Sequence, residues 1–308
     1  MTTPFVSVIV ATFDRPEALA RCLDHLARAD YPADRREVVV VDDGGHVDLG
    51  AICARFEGTL PVRLLHQPNS GAASARNHGA ASARGDVLLF TDDDCLASAG
   101  WIRAFARATH DNPDALVGGH TVNGLPENLC ASASQLLANR LCTPYNGHDQ
   151  PLFLNGNNLA TTRAAFESAG GFDPTFRTSA GEDRELSARF QALGRPLVFA
   201  PDAVVEHANP LTSRAFFRQH VNFGRAAFRL RVHPSPRTGV VPFGGPAFYL
   251  GLVLMPVEPA TSARWWRVAA LRGLLAVAQL ANAVGFLAEW LSPRVRVMKT
   301  AQAQLRPR

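Results

Sequence analysis

The sequence contains no CxxC pair, and its five cysteines (Cys22, Cys53, Cys95, Cys130 and Cys142) are an odd number. That argues against a disulfide framework and for reduced thiols in a cytoplasmic compartment. No zinc finger, RNP motif or basic zipper is present, so the usual nucleic-acid binders are excluded. Charge is sparse, at 19% of residues against 47% apolar, and nothing in the 24 Gly and 21 Pro suggests a collagen-like or broadly disordered chain. No basic region precedes the first apolar run, "MTTPFVSVIVATF", which is too short for a signal peptide and reads as a first strand. There is no internal repeat.

What the 308 residues do contain is an alternation of periods. "FVSVIVA" (5–11), "EVVVVDD" (37–43), "VRLLH" (62–66), "DVLLF" (86–90) and "ALVGG" (115–119) are short apolar runs of strand type. Between them, 15–29, 47–56, 71–84 and 99–110 have helical character, with Leu19, Cys22, Leu23 and Leu26 on one face of the first. This order predicts an α/β fold, a mainly parallel sheet with helices on both faces, whose ligands bind beyond the carboxyl ends of the strands. Residues 120–175 read as loops with a helix near 130–141, followed by a helix at 181–194 and a strand at 196–200.

Acids stand at those strand ends. "VLLFTDDD" runs four apolar residues into Asp92, Asp93 and Asp94, which repel one another and require compensation. Carboxylates and diphosphate oxygens suit Mg²⁺ or Mn²⁺, so a divalent cation is the expected cofactor. Asp42-Asp43-Gly44-Gly45 is by itself an ordinary turn, but beside the first cluster it reads as a base- or ribose-recognising site. Arg76, in the small-residue segment "NSGAASARNHGAASARGD", can meet phosphate at a helix N-terminus, or can lie on a close-packed Ala/Gly helix in solvent. Glu182 and Asp183 open a helix, where the dipole alone favours acids, and where a general base can stay ionised.

The last third is basic and apolar by turns. Residues 212–231 alternate Phe216, Phe217, Val221, Phe228 and Leu230 with Arg214, Arg218, Arg225, Arg229 and Arg231, as in a basic amphipathic helix. Residues 238–257 are uncharged for 20 positions but interrupted by Pro242, Pro246 and Pro256, and 273–288 are uncharged for 16 between Arg272 and Glu289. Both are borderline for spanning, which takes about 20 apolar residues. They read either as a buried helical hairpin or as a membrane-associated region, with Trp265 and Trp266 and the arginines favouring a membrane.

Taken together, "VSVIVATFDRPEAL", "VVVVDDGG", "NSGAASARNHGAASARGDVLLFTDDD", "NGNNLATTRAAFESAGGFD", "AGEDRELSARF" and "FAPDAVVEH" resemble a family 2 glycosyltransferase of the GT-A fold. The resemblance implies a GT-A domain over 1–211, with a nucleotide half to about 120 and an acceptor half beyond it, and leaves 212–308 as the membrane-associated appendage. It implies that Thr12 and Phe13 bind the nucleotide, with Phe13 packed on the base, that Asp43 recognises base or ribose, and that Arg76, Asp92 and Asp93 hold the donor. Asp94 with Asp92 and His207 would bind the metal, Asn157 and Asn158 would line the sugar or acceptor pocket, and Asp183 with Glu182 beside it would be the catalytic base. The implied activity is an inverting transfer from a nucleotide-diphosphate sugar to a glycan or lipid-linked acceptor, at the cytoplasmic face of the cell membrane. The chain departs from the family in having Thr12-Phe13-Asp14 where many members have "TYN", in lacking prolines at Ala97, Ser98 and Ala99, and in lacking the Q-x-x-R-W of processive synthases. A nucleotidyltransferase is the rival enzyme, disfavoured because "ATFDRPEA" has no glycine. A non-catalytic sugar-nucleotide or lipid-binding scaffold is the other alternative.

Overall fold

A computed structural model describes residues 3–142, 151, 153–177, 180–232, 245–257 and 264–292. They form two compact units, Met1–Gly124 with Ala138–Asn209, and Leu125–Leu137 with Pro210–Arg308.

The first unit is built on an eight-stranded sheet of β1 (Val6–Thr12), β2 (Arg36–Asp42), β3 (Val62–His66), β4 (Val87–Asp92), β5 (Cys95–Ala97), β6 (Leu116–Asn123), β7 (Asn158–Thr162) and β8 (Leu197–His207), in the order 3-2-1-4-7-6-8-5. β3, β2, β1 and β4 run parallel to one another, as do β6 and β8. β7 is antiparallel to both β4 and β6, and β5 to β8. Among the described residues, six α-helices lie wholly in this unit: α1 (Pro16–Ala27), α2 (Gly50–Ala54), α3 (Ala72–Ser82), α4 (Trp101–Asp111), α6 (Arg163–Ala169) and α7 (Glu182–Ala192), while α5 (Leu129–Cys142) is divided between the units.

Alternate residues of a strand point to opposite faces, and both faces here are apolar. Val8, Val10, Val38, Val40 and Leu89 pack with Leu19, Leu23 and Leu26 of α1 and Trp101 and Phe105 of α4. Ile9, Leu88, Phe90 and Leu159 pack on the other side with Phe166, Phe172, Leu186 and Phe190. Helix α1 starts with Pro16 in its first turn, which supplies the φ that a helix needs and lacks only an amide that has no partner there.

Several boundaries differ from those the sequence predicts. The helix expected at 47–56 contracts to Gly50–Ala54, and the strands expected at 115–119 and 196–200 extend to Asn123 and His207. Within 120–175, read from the sequence as loops and one helix, the chain forms β7 and α6. "NLATT" has no long apolar run, and it becomes a strand because β4 and β6 each offer it an unpaired edge. Thr162 then caps α6, its hydroxyl accepting from Ala165 N at 3.2 Å, and Gly170 closes the helix at φ 86°.

The second unit contains the first part of α5, α8 (Ser213–Val232), α9 (Pro246–Leu254) and α10 (Trp265–Trp290). Residues 238–244 of the first apolar stretch lie outside the described residues, and the second stretch is longer than its uncharged core, since α10 runs 26 residues. All five cysteines are free thiols.

Candidate active site

The parallel register aligns the carboxyl ends of three strands. Thr12 pairs with Asp42 and Ala11 with Asp92, so the loops that follow β1, β2 and β4 emerge side by side. The short β5 then pairs Cys95 with His207, which carries the end of β8 to the acid cluster. A register jump in which three residues of β8 have no partner between Gly119 and His120 of β6 allows the strand to reach that far.

Each acid of the triple cluster has a basic partner within the protein, Asp93 and Asp94 sharing one. Asp93 is fully buried, accepts from Thr12 Oγ1 at 2.7 Å and from Arg15 Nε at 3.1 Å, and forms a second ion pair with Arg15. Asp94 Oδ2 accepts from Arg15 Nη1 at 2.8 Å, and its Oδ1 faces His207 Nε2 at 3.5 Å. Asp92 Oδ1 accepts from Arg76 Nη2 at 2.7 Å, and its side chain stays 27% exposed. Arg15, Arg76 and His207 thus compensate the three acids from within the chain. Arg15 was given no role by the sequence reading; its only signal is that it lies three residues beyond the end of β1, next to β4.

The titration of these groups follows their surroundings. Burial pushes Asp93 up to about 7, against the pull of Arg15 and the Thr12 hydroxyl. Burial acts in the same sense on Asp94, but His207 and Arg15 outweigh it and hold that carboxyl down at about 2. Burial alone would lower His207, and the Asp94 carboxylate more than offsets it, so the imidazole holds its proton more tightly than usual.

Other residues named from the sequence take up varied positions. Phe13 is exposed, and Thr12 is buried on Asp93. Asp43 is buried and accepts from Gln67 Nε2, Ser70 N and Gly71 N at 2.7–2.8 Å, which ties the β2 turn to the start of α3. Asp14, at φ 50°, accepts from His46 N at 2.6 Å and so joins the loops after β1 and β2. Asn158 is engaged inside the fold. Its carboxamide is buried, accepts from Trp101 Nε1 at 2.8 Å and donates to Ala203 O at 3.1 Å, binding β7 to α4 and β8. Asn157 is half-buried, and its Oδ1 has no hydrogen-bond partner among the described residues.

Arg76 is also placed differently from its expected contact with phosphate. It is buried with its guanidinium over the Phe172 ring, giving one arm to Asp92 and the other to Glu182 Oε1 at 3.0 Å. Gly156 lies against the same guanidinium, where a Cβ would come within 3.3 Å of Nη1. The Gly156 amide in turn donates to Asp183 Oδ2 at 3.3 Å. One buried cation thus joins the end of β4 to the start of α7, Arg76 itself lying 106 residues from Glu182.

The two acids of α7 are divided by this contact. Glu182 is buried on Arg76, with Oε2 unpartnered, and burial together with the neighbouring Asp183 raises it to about 7. Asp183 is half-buried and accepts from two backbone amides, Gly156 N and Arg184 N. A carboxylate whose partners here are backbone amides has lone pairs left to accept a substrate proton.

The donor set near His207 was tested for a metal. Among the described residues, Asp94, Cys95 and His207 each offer an atom, all within 4.8 Å of one another. Burial keeps the Cys95 thiol well above its usual pKa, which makes the carboxylate and the imidazole the better hard-metal ligands. A carboxylate and an imidazole nitrogen remain, to be completed by diphosphate oxygens, and that set suits Mn²⁺ or Mg²⁺.

Comparison with known proteins gives concordant results. A family model described as Glycosyl transferase family 2 matches residues 7–171. Glycosyltransferase AglE of Haloferax volcanii is 31% identical over 67% of this chain and 67% of its own. The pre-mycofactocin glycosyltransferase of Mycobacterium tuberculosis is 29% identical over 68% of this chain, which spans only 45% of that protein. Among solved structures, the mannosyltransferase PcManGT of Pyrobaculum calidifontis, in complex with GDP-Man and Mn²⁺, superposes with a TM-score of 0.59 at 21% identity, over 98% of this chain and 85% of that one. Residues 1–349 of TarS from S. aureus, in complex with UDP, give 0.53 at 18% identity over 98% and 92%. At such identities the likeness establishes the fold, which is the GT-A architecture expected from the sequence.

Proposed function

Because the chain belongs to glycosyl transferase family 2, we propose that it moves a sugar from a nucleotide-diphosphate sugar to a hydroxyl acceptor, with inversion at the anomeric carbon. The observation that carries this reading is the Arg76 bridge, which sets the acids at the end of β4 beside the acids at the start of α7. A donor held at the first group then has a carboxylate within the same structure to take the acceptor's proton.

Phe13 offers an exposed ring for the base, and the exposed part of Asp92 a carboxylate oxygen for the ribose. Asp94 and His207 would hold a divalent cation. When bound, that ion supplies electrostatic stabilisation to the leaving nucleoside diphosphate. Mn²⁺ in the Pyrobaculum enzyme supports the assignment of the cofactor. Asp183 removes the proton from the acceptor hydroxyl as it attacks the anomeric carbon from the face opposite the departing diphosphate. Glu182, turned inward on Arg76, holds the base in place. The acceptor we take to be a glycan or lipid-linked glycan met at the cytoplasmic face of the membrane, a reading supported by the apolar length of α10.

The test is a thermal shift. With Mn²⁺ present, one of UDP, GDP, dTDP and CDP is expected to raise the melting temperature. A ligand at 100 times its Kd adds about 2.7 kcal/mol to stability. Without metal, or in Asp94→Asn, the shift should vanish. Silence from all four nucleotides would remove the nucleotide-sugar reading.

A further inference from the structure

Helix α10 carries two apolar stripes. Leu271, Leu275, Ala278 and Gly285 are buried, and the helix meets α8 so closely that a Cβ on Gly285 would lie 1.9 Å from Val221 O, and one on Gly224 of α8 2.0 Å from Asn282 O. The other stripe is bare. Val277, Leu280, Val284, Leu287 and Leu291 recur at spacings of three and four and are 39–67% exposed, with no charge from Gly273 to Ala288. Trp265 and Trp266 stand at one end of the helix and Trp290 at the other, all exposed.

We propose that this outer stripe seats on an anionic lipid surface, with α8 and α10 lying in the plane of the membrane instead of crossing it. The proposal deepens the membrane part of the function given above and rests on it, but not on the assignment of catalytic acids.

Two occupants suit a stripe of this spacing, a second copy of the chain or a bilayer, and charge separates them. The positions flanking the stripe, Ala276, Ala283 and Ala288 among them, carry none of the paired charges that hold a coiled coil in register. The described residues of this unit hold eight arginines against Glu127 and Glu289, and Glu289 is taken by Arg229 Nε at 2.9 Å. Two copies would bring that excess against itself, whereas anionic headgroups around an acyl-facing stripe neutralise it. Tryptophans at both ends of the helix suit the headgroup level.

Orientation follows from α8. Its first residue, Ser213, shares the wall of a cavity with Ala270 and Leu274 of α10, and its Arg229 reaches Glu289, so the two helices run side by side over most of α10. If α10 crossed the bilayer, it would carry the exposed Arg218 and Arg225 of α8 to hydrocarbon depth, where arginine is expelled. Lying flat leaves those side chains at the headgroups and buries only the stripe.

The experiment uses the full chain with vesicles of phosphatidylcholine alone or mixed with phosphatidylglycerol. Binding to the mixed vesicles is expected, weakened by salt and by omission of the anionic lipid. The double variant Leu280→Glu/Leu287→Glu should bind about tenfold or more weakly, and bromines placed high on the acyl chains should quench tryptophan fluorescence more than bromines near the midplane. Vesicle binding equal to wild type in that variant would overturn the proposal. So would midplane quenching, which means spanning, or a vesicle-free dimer that the variant abolishes. The nucleotide thermal shift separates the two readings. It should persist in the double variant, which also shows the variant is folded, and its absence from wild type would count against the enzyme alone.

Discussion

Replacing Asp183 with asparagine is expected to lower turnover by about 10²–10⁴-fold, the usual contribution of a positioned general base, while nucleotide binding is retained. The substitution is close to isosteric, and the amide oxygen of asparagine can still accept from Gly156 N, which Asp183 now holds at 3.3 Å. What it removes is the second carboxylate oxygen, the proton acceptor, at the start of α7. The neighbouring acid cannot take over, since Glu182 is buried on Arg76 with one oxygen already committed. Single-turnover transfer to any accepted hydroxyl, measured beside nucleotide titration, distinguishes loss of chemistry from loss of binding. Unchanged turnover in the variant would exclude Asp183 as the base.

The second large effect is on stability. Arg76→Ala should cost about 3–5 kcal/mol, because removing one partner strands a buried charge, and here a single guanidinium serves two acids, Asp92 and Glu182. Arg76→Lys should recover only part of this, since an ammonium cannot reach both carboxylates with the planar fork of arginine. Denaturant midpoints of the three proteins measure it, and a loss within error in Arg76→Ala would mean that the bridge has no structural weight. The same contact has a pH signature. Glu182 is raised from 4.5 to about 7 by burial and by Asp183. An acid raised on folding contributes stability that is fully present below its unfolded value and is lost as pH rises through its folded one. Wild type should therefore lose stability relative to Glu182→Gln between pH 4.5 and about 7, and parallel curves for the two proteins would refute the assignment.

Both expectations bear on residues that the sequence made visible without saying what they touch. The alternation of strand and helix to Asp111, the acids at the ends of β2 and β4, and the acidic opening of α7 were all readable. Each is a local pattern: apolar residues recur with the period of the element, and charge collects where the element ends. Two short elements without a long apolar run were not readable in this way. β5 and β7, of three and five residues, exist because neighbouring strands complete their hydrogen bonds.

What the sequence by itself determined, then, is the set of chemical groups and the strand ends and helix starts that bear them. Only the tertiary structure decided which of those groups remain available. Asp93 and Asn158 look like site residues in the sequence, yet Arg15 and Thr12 occupy the first, and Trp101 and Ala203 the second. Arg76, read as a phosphate contact, became an internal link, and His207 reached Asp94 only through the pairing of β5 with β8. The physical reason is that an ion pair or a carboxamide hydrogen bond is chosen by position in space. The partners here lie from 16 residues apart, for Arg76 and Asp92, to 106, for Arg76 and Glu182, and further still for Asp94 and His207, and strand order, which no local period encodes, brings them together.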